Sequence, residues 1–139
     1  MAKLRYTQRT LRELRQLGRI CAIAEKFNAF VGPHGIRQDL FGFIDLISLD
    51  PERGIVAIQS TGQDFAGHLR KLLDSDCTEN VIEWLRCGGA VELWGWRKLL
   101  VKRGGKAKRW VPRVREITLE DFPSVGDDTK AAEAAEGET

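Results

Sequence analysis

Asp45 is the residue of this chain that most needs a chemical reason. It stands inside residues 40–49, the run LFGFIDLISL, among leucine, isoleucine and phenylalanine. A carboxylate in a buried apolar segment costs several kcal/mol unless it meets a cation or hydrogen-bond donors. Gln59 and Thr61 follow, beyond a turn at Asp50-Pro51-Glu52-Arg53-Gly54. Residues two apart on a strand share a face, so Gln59 and Thr61 project together. A hairpin can bring that face beside Asp45. The product is a polar cluster at the end of an apolar hairpin, with a helix following at once. Asp45 then either binds a divalent cation or pairs with an arginine. Asp39, six residues earlier, would share its face on a regular strand, or else cap a turn. No Ser, Cys or His triad pattern accompanies these residues, which suits a metal mechanism better than a covalent one.

A second group of residues points at polyanions. Trp94, Trp96 and Trp110 stand among Arg97, Lys98, Lys102, Arg103, Lys106, Lys108, Arg109, Arg113 and Arg115. Alternation puts Trp94 and Trp96 on one face of a strand, opposite Val91 and Leu93. Cations beside aromatic rings form a surface that follows phosphates and stacks bases. The plain alternative is tryptophans covering a sheet edge beside a solvated basic tip. Charge balance favours the first. Residues 123–139 hold five acids and one lysine, a net of −4, which leaves +6 on the rest of a chain of net charge +2.

The elements that must position these residues follow from periodicity. The chain has 139 residues, 42% hydrophobic and 30% charged, which fits one globular domain and excludes a coiled-coil rod or a disordered chain. No stretch approaches a membrane span, and the N-terminal apolar run is too short for a signal peptide. Cys21, Cys77 and Cys87 form no CxxC pair, so they read as thiols of a reducing cytoplasm.

After a disordered lead at 1–6, leucines at 11, 14 and 17 predict a helix over 7–17, stopped by Gly18. Residues 19–27 read as extended, with a helix left open by the alanines and Glu25, and 28–38 as a loop. Strands are predicted over 40–49 and 55–61, forming a hairpin. Helices follow over 63–73 and 76–87, then strands over 90–100 and 110–119 around a basic tip at 102–109. The predicted domain is 1–122, with a disordered acidic tail at 123–139. The order α-β-β-β-α-α-β-β predicts an α/β fold, a central mixed sheet flanked by helices.

The stretch Arg37-Gln38-Asp39-Leu40-Phe41-Gly42-Phe43-Ile44-Asp45-Leu46-Ile47, with Ile58-Gln59-Ser60-Thr61, resembles the core of the PD-(D/E)XK nuclease superfamily. Within it, the sequence is similar to a small phage and bacterial branch near the Holliday-junction resolvases and the VRR-type nucleases. The likeness covers roughly residues 7–117. It implies a restriction-endonuclease-like core. It also implies a Mg²⁺- or Mn²⁺-dependent DNA endonuclease, acting on branched or recombination intermediates, where symmetric cleavage would call for a homodimer. By this resemblance Asp45 is the first metal-binding acid. Gln59 stands where the second acid usually is, and Thr61 where the lysine usually is. The Ser60 carbonyl is a metal ligand. Glu25 is the additional acid, with Glu13 as its alternative. Lys71, a helical turn after His68, could supply the missing cation. Arg37, His68, Lys71, Trp94, Trp96, Arg97, Lys98 and Arg109 would contact nucleic acid.

The two departures leave two further readings open. A chain with Gln59 and Thr61 could keep the fold and bind nucleic acid without cutting it. It could instead be a phage-encoded inhibitor module that binds a protein through exposed tryptophans.

Overall fold

The computed structural model describes residues 5–123, so the predicted lead at 1–6 lies mostly, and the predicted acidic tail almost entirely, outside the described residues. The chain opens with α1 (Tyr6–Gln16), whose inward positions Thr7, Thr10 and Leu14 recur at helical spacing. Strand β1 (Ile20–Ile23) follows, then a small hairpin of β2 (Lys26–Asn28) and β3 (Ile36–Gln38). β4 (Leu46–Asp50) and β5 (Gly54–Thr61) form the central hairpin. α2 (Phe65–Leu73) and α3 (Thr78–Arg86) lead to β6 (Ala90–Leu100) and β7 (Lys108–Ile117).

Five of the strands make one sheet in the order β1-β4-β5-β6-β7. β5 and β6 are parallel, and every other neighbouring pair is antiparallel. A parallel pair needs a long crossover, and α2 and α3 supply it. The fold is therefore α/β, with a mixed central sheet and three helices, as the sequence predicts. The side chains of β5 and β6 alternate between two buried layers. Ala57, Val91 and Leu93 pack under α2 and α3 with Phe65, Leu72 and Val81. Val56, Ile58, Trp94 and Trp96 pack under α1 with Leu14. No helix among the described residues is long and apolar enough to cross a membrane.

Three predicted elements differ. The extended stretch 19–27 is two strands, broken at Ala24 and Glu25, whose N–H groups both turn to the Asp45 carbonyl (2.9 and 3.2 Å). The predicted loop 28–38 contains β3, paired with β2. The predicted strand 40–49 is a strand only from Leu46. Residues 40–44 fold into a closed turn, with Phe41 (φ 55°) and Gly42 (φ 82°) both left-handed and the Ile44 N–H on the Leu40 carbonyl (2.9 Å). Phe43 and Ile44 are fully buried all the same. Burial of a turn produces the same apolar run as burial of a strand, which is why periodicity misreads it.

One end of the sheet is fastened by ions. Arg53, in the β4–β5 turn, bonds Asp50 (2.9 Å) and Glu92, and reaches Glu116 on β7 (3.5 Å). Arg19 reaches Asp50 from the other side (2.8 Å). These donors, with the Glu52 N–H, hold the Asp50 carboxyl far below the usual carboxylate range. A carboxyl depressed by folding stabilises the fold above its unfolded value near pH 4, and that contribution fades as pH falls. Arg53→Met is expected to lower the melting temperature by about 5 °C or more at pH 7, because it leaves Glu92 buried without its cation. It is also expected to flatten the loss of stability below pH 4. A variant that melts like the wild type across that range would show the network to be incidental.

Candidate metal centre

Asp45 immediately precedes β4 at the opposite end of the sheet and is 6% exposed. Its N–H bonds the Ile58 carbonyl (2.9 Å), and its Oδ2 accepts the Ser60 N–H (2.7 Å). Backbone and side chain are both pinned to β5. Its carbonyl takes the N–H groups of Ala24 and Glu25, which fixes Glu25 against it. The β2–β3 hairpin then brings Asp39 back to the same spot. Its last pair is Lys26 with Gln38, so Glu25 and Asp39 are the next residues on either strand. The carboxylates of Glu25, Asp39 and Asp45 each offer an oxygen within 4.8 Å of the others.

Basic groups surround this cluster without neutralising its centre. Arg37 reaches Glu25 (3.2 Å) and Lys71 reaches Asp39 (3.4 Å). Asp45 has no basic partner among the described residues; its carboxylate is met by the Ser60 amide instead. Burial therefore pushes its carboxyl up to about 8, helped by a proton shared with Asp39 and by the charges of Asp39 and Glu25, against the pull of the Ser60 N–H. Burial also raises Glu25, with Asp39 adding to the rise and Arg5 opposing it.

Three carboxyls crowded in a half-dry site hold either protons or a cation. All the donors are oxygen, with no Cys or His in the cluster. That set suits a hard divalent ion such as Mg²⁺ or Mn²⁺. A second observation agrees with it. Gln59 is 1% exposed, and its Nε2 donates to the Phe43 carbonyl (3.3 Å), but its Oε1 is buried with no hydrogen-bond partner. Gln59 lies one step past the Leu46–Ile58 pair, across the hairpin from Asp45. An orphaned carbonyl oxygen there is a further hard donor.

The remaining expectations separate. Asp45 and Glu25 do come together. Asp39 joins them through the turn at 40–44, not through strand alternation. Glu13 lies elsewhere, on α1 in the cleft beside Trp96 and Trp110. Ser60 meets Asp45 through its N–H. A strand residue sends its N–H and C=O to the same side, so the Ser60 carbonyl leaves toward β4 as well. Lys71 does not stand free on its helix but leans over to Asp39.

Thr61 faces His68, with Oγ1 3.0 Å from Nδ1. That nitrogen is also 2.9 Å from the Asp64 carbonyl. A carbonyl only accepts, so Nδ1 carries the hydrogen and Nε2 is the nitrogen left for chemistry.

Trp94 and Trp96 are not a nucleic-acid surface. They share a face, as alternation requires, but α1 covers that face and leaves them 6% and 4% exposed. Their indole N–H groups are spent on Glu92 (3.1 Å) and Thr10 (2.8 Å). The protein-anchor reading of these tryptophans falls with their exposure. Arg97, Lys98 and Arg109 are exposed as expected. Beside the cluster a cleft of about 260 Å³, lined by Arg5, Gln8, Glu25 and Arg37, opens to solvent.

Comparison of the chain with protein-family models, with curated proteins and with solved structures finds no match.

A carboxyl whose value is raised by folding favours the folded state below its unfolded value near 4. That advantage is lost as pH climbs toward 8. In EDTA the melting temperature is therefore expected to fall between pH 5 and pH 8. Millimolar Mn²⁺ or Mg²⁺ should restore about 5 °C or more at pH 8, since a ligand bound only by the folded chain stabilises it. Asp45→Asn should flatten the pH slope and abolish the metal response. A melting temperature indifferent to both pH and metal would dissolve the proposed centre.

Proposed function

We propose that the chain is a divalent-cation-dependent nuclease that hydrolyses phosphodiester bonds of DNA, of the PD-(D/E)XK type with two motif positions relocated. The observation that carries this reading is the meeting of Glu25, Asp39, Asp45 and Lys71 at one end of the sheet. The motif resembled in the sequence wants two acids and a lysine. Here Gln59 lacks the charge of the second acid and Thr61 lacks the cation. Asp39 and Lys71 make up both deficits from other elements, so the charge inventory is kept while the positions change.

On this reading Asp45, Asp39 and Glu25 hold the cation, with the Gln59 and Ser60 carbonyls as neutral donors. The bound ion would supply Lewis acidity and a water of lowered pKa. Lys71 offsets charge on the phosphate. His68, with Nδ1–H held by the Asp64 carbonyl, presents Nε2 to a phosphate oxygen or leaving group. Arg5 and Arg37 line the cleft at the mouth of the cluster and attract the polyanion. A non-cutting nucleic-acid binder is the second reading, favoured by the uncharged Gln59 at a motif position.

The deciding assay is cleavage of labelled four-way-junction, duplex and single-stranded DNA with Mg²⁺ or Mn²⁺, with EDTA as control. Cutting is expected to need metal. It should fall about 100-fold or more in Asp45→Asn and Asp39→Asn, the scale of losing a transition-state electrostatic group. Lys71→Met should lower kcat, with Lys71→Arg retaining part of it. Thr61→Ala should be mild. Salt-sensitive DNA binding with no cleavage in either metal, unchanged in Asp45→Asn, would leave the binder and remove the nuclease.

A further inference from the structure

The far reach of β6 and β7 has no part in the chemistry above. β5 ends at Thr61, opposite Gly95, whereas β6 and β7 go on pairing to Leu100 and Lys108. Residues 97–111 thus run past β5 as a two-stranded ribbon, whose Lys98 face is held at its base by α1, with Tyr6 and Arg9 against Trp110 (6.0 and 4.2 Å). It closes with the Val101 N–H on the Ala107 carbonyl (3.0 Å) and the Gly105 N–H on the Lys102 carbonyl (2.9 Å). Five overhanging residues on β6 extend it about 17 Å past the end of β5, at roughly 3.3 Å per residue.

Its charge is of one sign. Residues 97–113 contain eight Lys or Arg and no Asp or Glu. Among the described residues none of the eight forms an ion pair. Two rest on rings, Lys98 over Trp110 (5.0 Å) and Arg113 over Phe65 (4.2 Å). The register sends Arg97, Arg109 and Arg113 to one face and Lys98 and Lys108 to the other, with Lys102, Arg103 and Lys106 around the tip. Charges on an edge strand guard against sheet-to-sheet pairing. Guarding β7 needs neither both faces nor a single sign, and eight cations with no acid among them present a positive surface suited to a polyanion.

Shape chooses that partner. A two-stranded ribbon fits the major groove of B-form DNA, about 12 Å wide, and not the minor groove, about 6 Å wide. The major groove of an A-form duplex is too narrow and deep to admit it. We propose that the β6–β7 ribbon enters the major groove of duplex DNA, its two basic faces meeting the phosphates on either wall. This names the form of the substrate and rests on the nuclease reading only for the site to which the duplex is delivered. The geometry of delivery is direct. β6 runs past β5 two strands from β4, about 10 Å from the strand that Asp45 precedes, and at the same end of the sheet.

The test is binding in EDTA, so that no metal site takes part. Fluorescence anisotropy on the full chain would compare a labelled DNA duplex, its single strand and an RNA duplex of the same sequence. Protection of guanine N7 from methylation would map the groove used, since N7 lies in the major groove. The variant is Lys102→Ala, Arg103→Ala and Lys106→Ala together, all at the turn, with its melting curve as a folding control. The wild type is expected to prefer the DNA duplex at least 10-fold and to protect N7. The variant should bind roughly 100-fold more weakly at 0.1 M salt, with a salt slope shallower by about 2.7, or 0.9 for each phosphate no longer neutralised. Equal affinity for single strand or RNA duplex, or a variant that binds like the wild type, would overturn the proposal. N7 protection without any cutting in Mn²⁺ upholds the ribbon and removes the nuclease. Metal-dependent cutting that the triple variant leaves unchanged in KM does the reverse.

Discussion

The hydrogen bond from the Ser60 amide to the Asp45 carboxylate is the constraint around which this molecule is arranged. It is one of four bonds centred on one residue. The Asp45 N–H ties to β5, and its carbonyl takes two N–H groups from the chain just after β1. Strands β1, β4 and β5 are thereby locked where the carboxylates gather. The arrangement costs folding energy, since burial and like charge both raise Asp45. An acid so held, with no basic partner of its own among the described residues, is one that a proton or a cation can neutralise. A structural ion pair would look like Asp50, whose carboxyl is driven the other way by two arginines. The same chain thus contains both solutions for an acid, one at each end of the sheet.

On the proposed nuclease reading, relocation of charge explains why the site is hard to see in one dimension. Asp39 and Lys71 are separated by 32 residues and meet only because the 40–44 turn and the α2 crossover fold back over the start of β4. A motif is a statement about positions on two strands. A phosphate responds to charge in space, and a lysine arriving from a helix supplies the same field as one arriving from a strand. Gln59 and Thr61 then need not be lost function. Gln59 keeps a buried oxygen with no hydrogen-bond partner, and Thr61 bonds His68.

What is legible in the sequence follows the same line. Alternation and turn chemistry yield the order of elements, the β4–β5 hairpin and the shared face of Trp94 and Trp96. They also single out Asp45 by its cost of burial. What alternation cannot say is which face a distant helix will cover. Trp94 and Trp96 read as a base-stacking surface because α1 leaves no mark near them in the chain; Thr10, which takes the Trp96 indole N–H, stands 86 residues before it. The turn at 40–44 is hidden by its own burial. Asp39 is visible as an acid near Asp45, but a left-handed turn brings it there, where alternation along one strand would have put it on a common face.

The two ends of the sheet divide the work. At the β4–β5 turn, Arg53 joins Asp50, Glu92 and Glu116 across β4, β6 and β7, so the strands are fastened together there by side chains. At the other end the strands come apart. β4 starts late, β5 stops at Thr61, and β6 and β7 run on alone. At this staggered end Glu25 and Asp39 take Arg37 and Lys71 as partners, Asp45 takes none among the described residues, and the ribbon cations lie about 10 Å away across the sheet. On the proposed reading, a polyanion that bridges this end meets the cations directly and the acids through a metal. The ion network at one end thus holds β4, β6 and β7 together while the other end keeps one buried acid without a basic partner among the described residues.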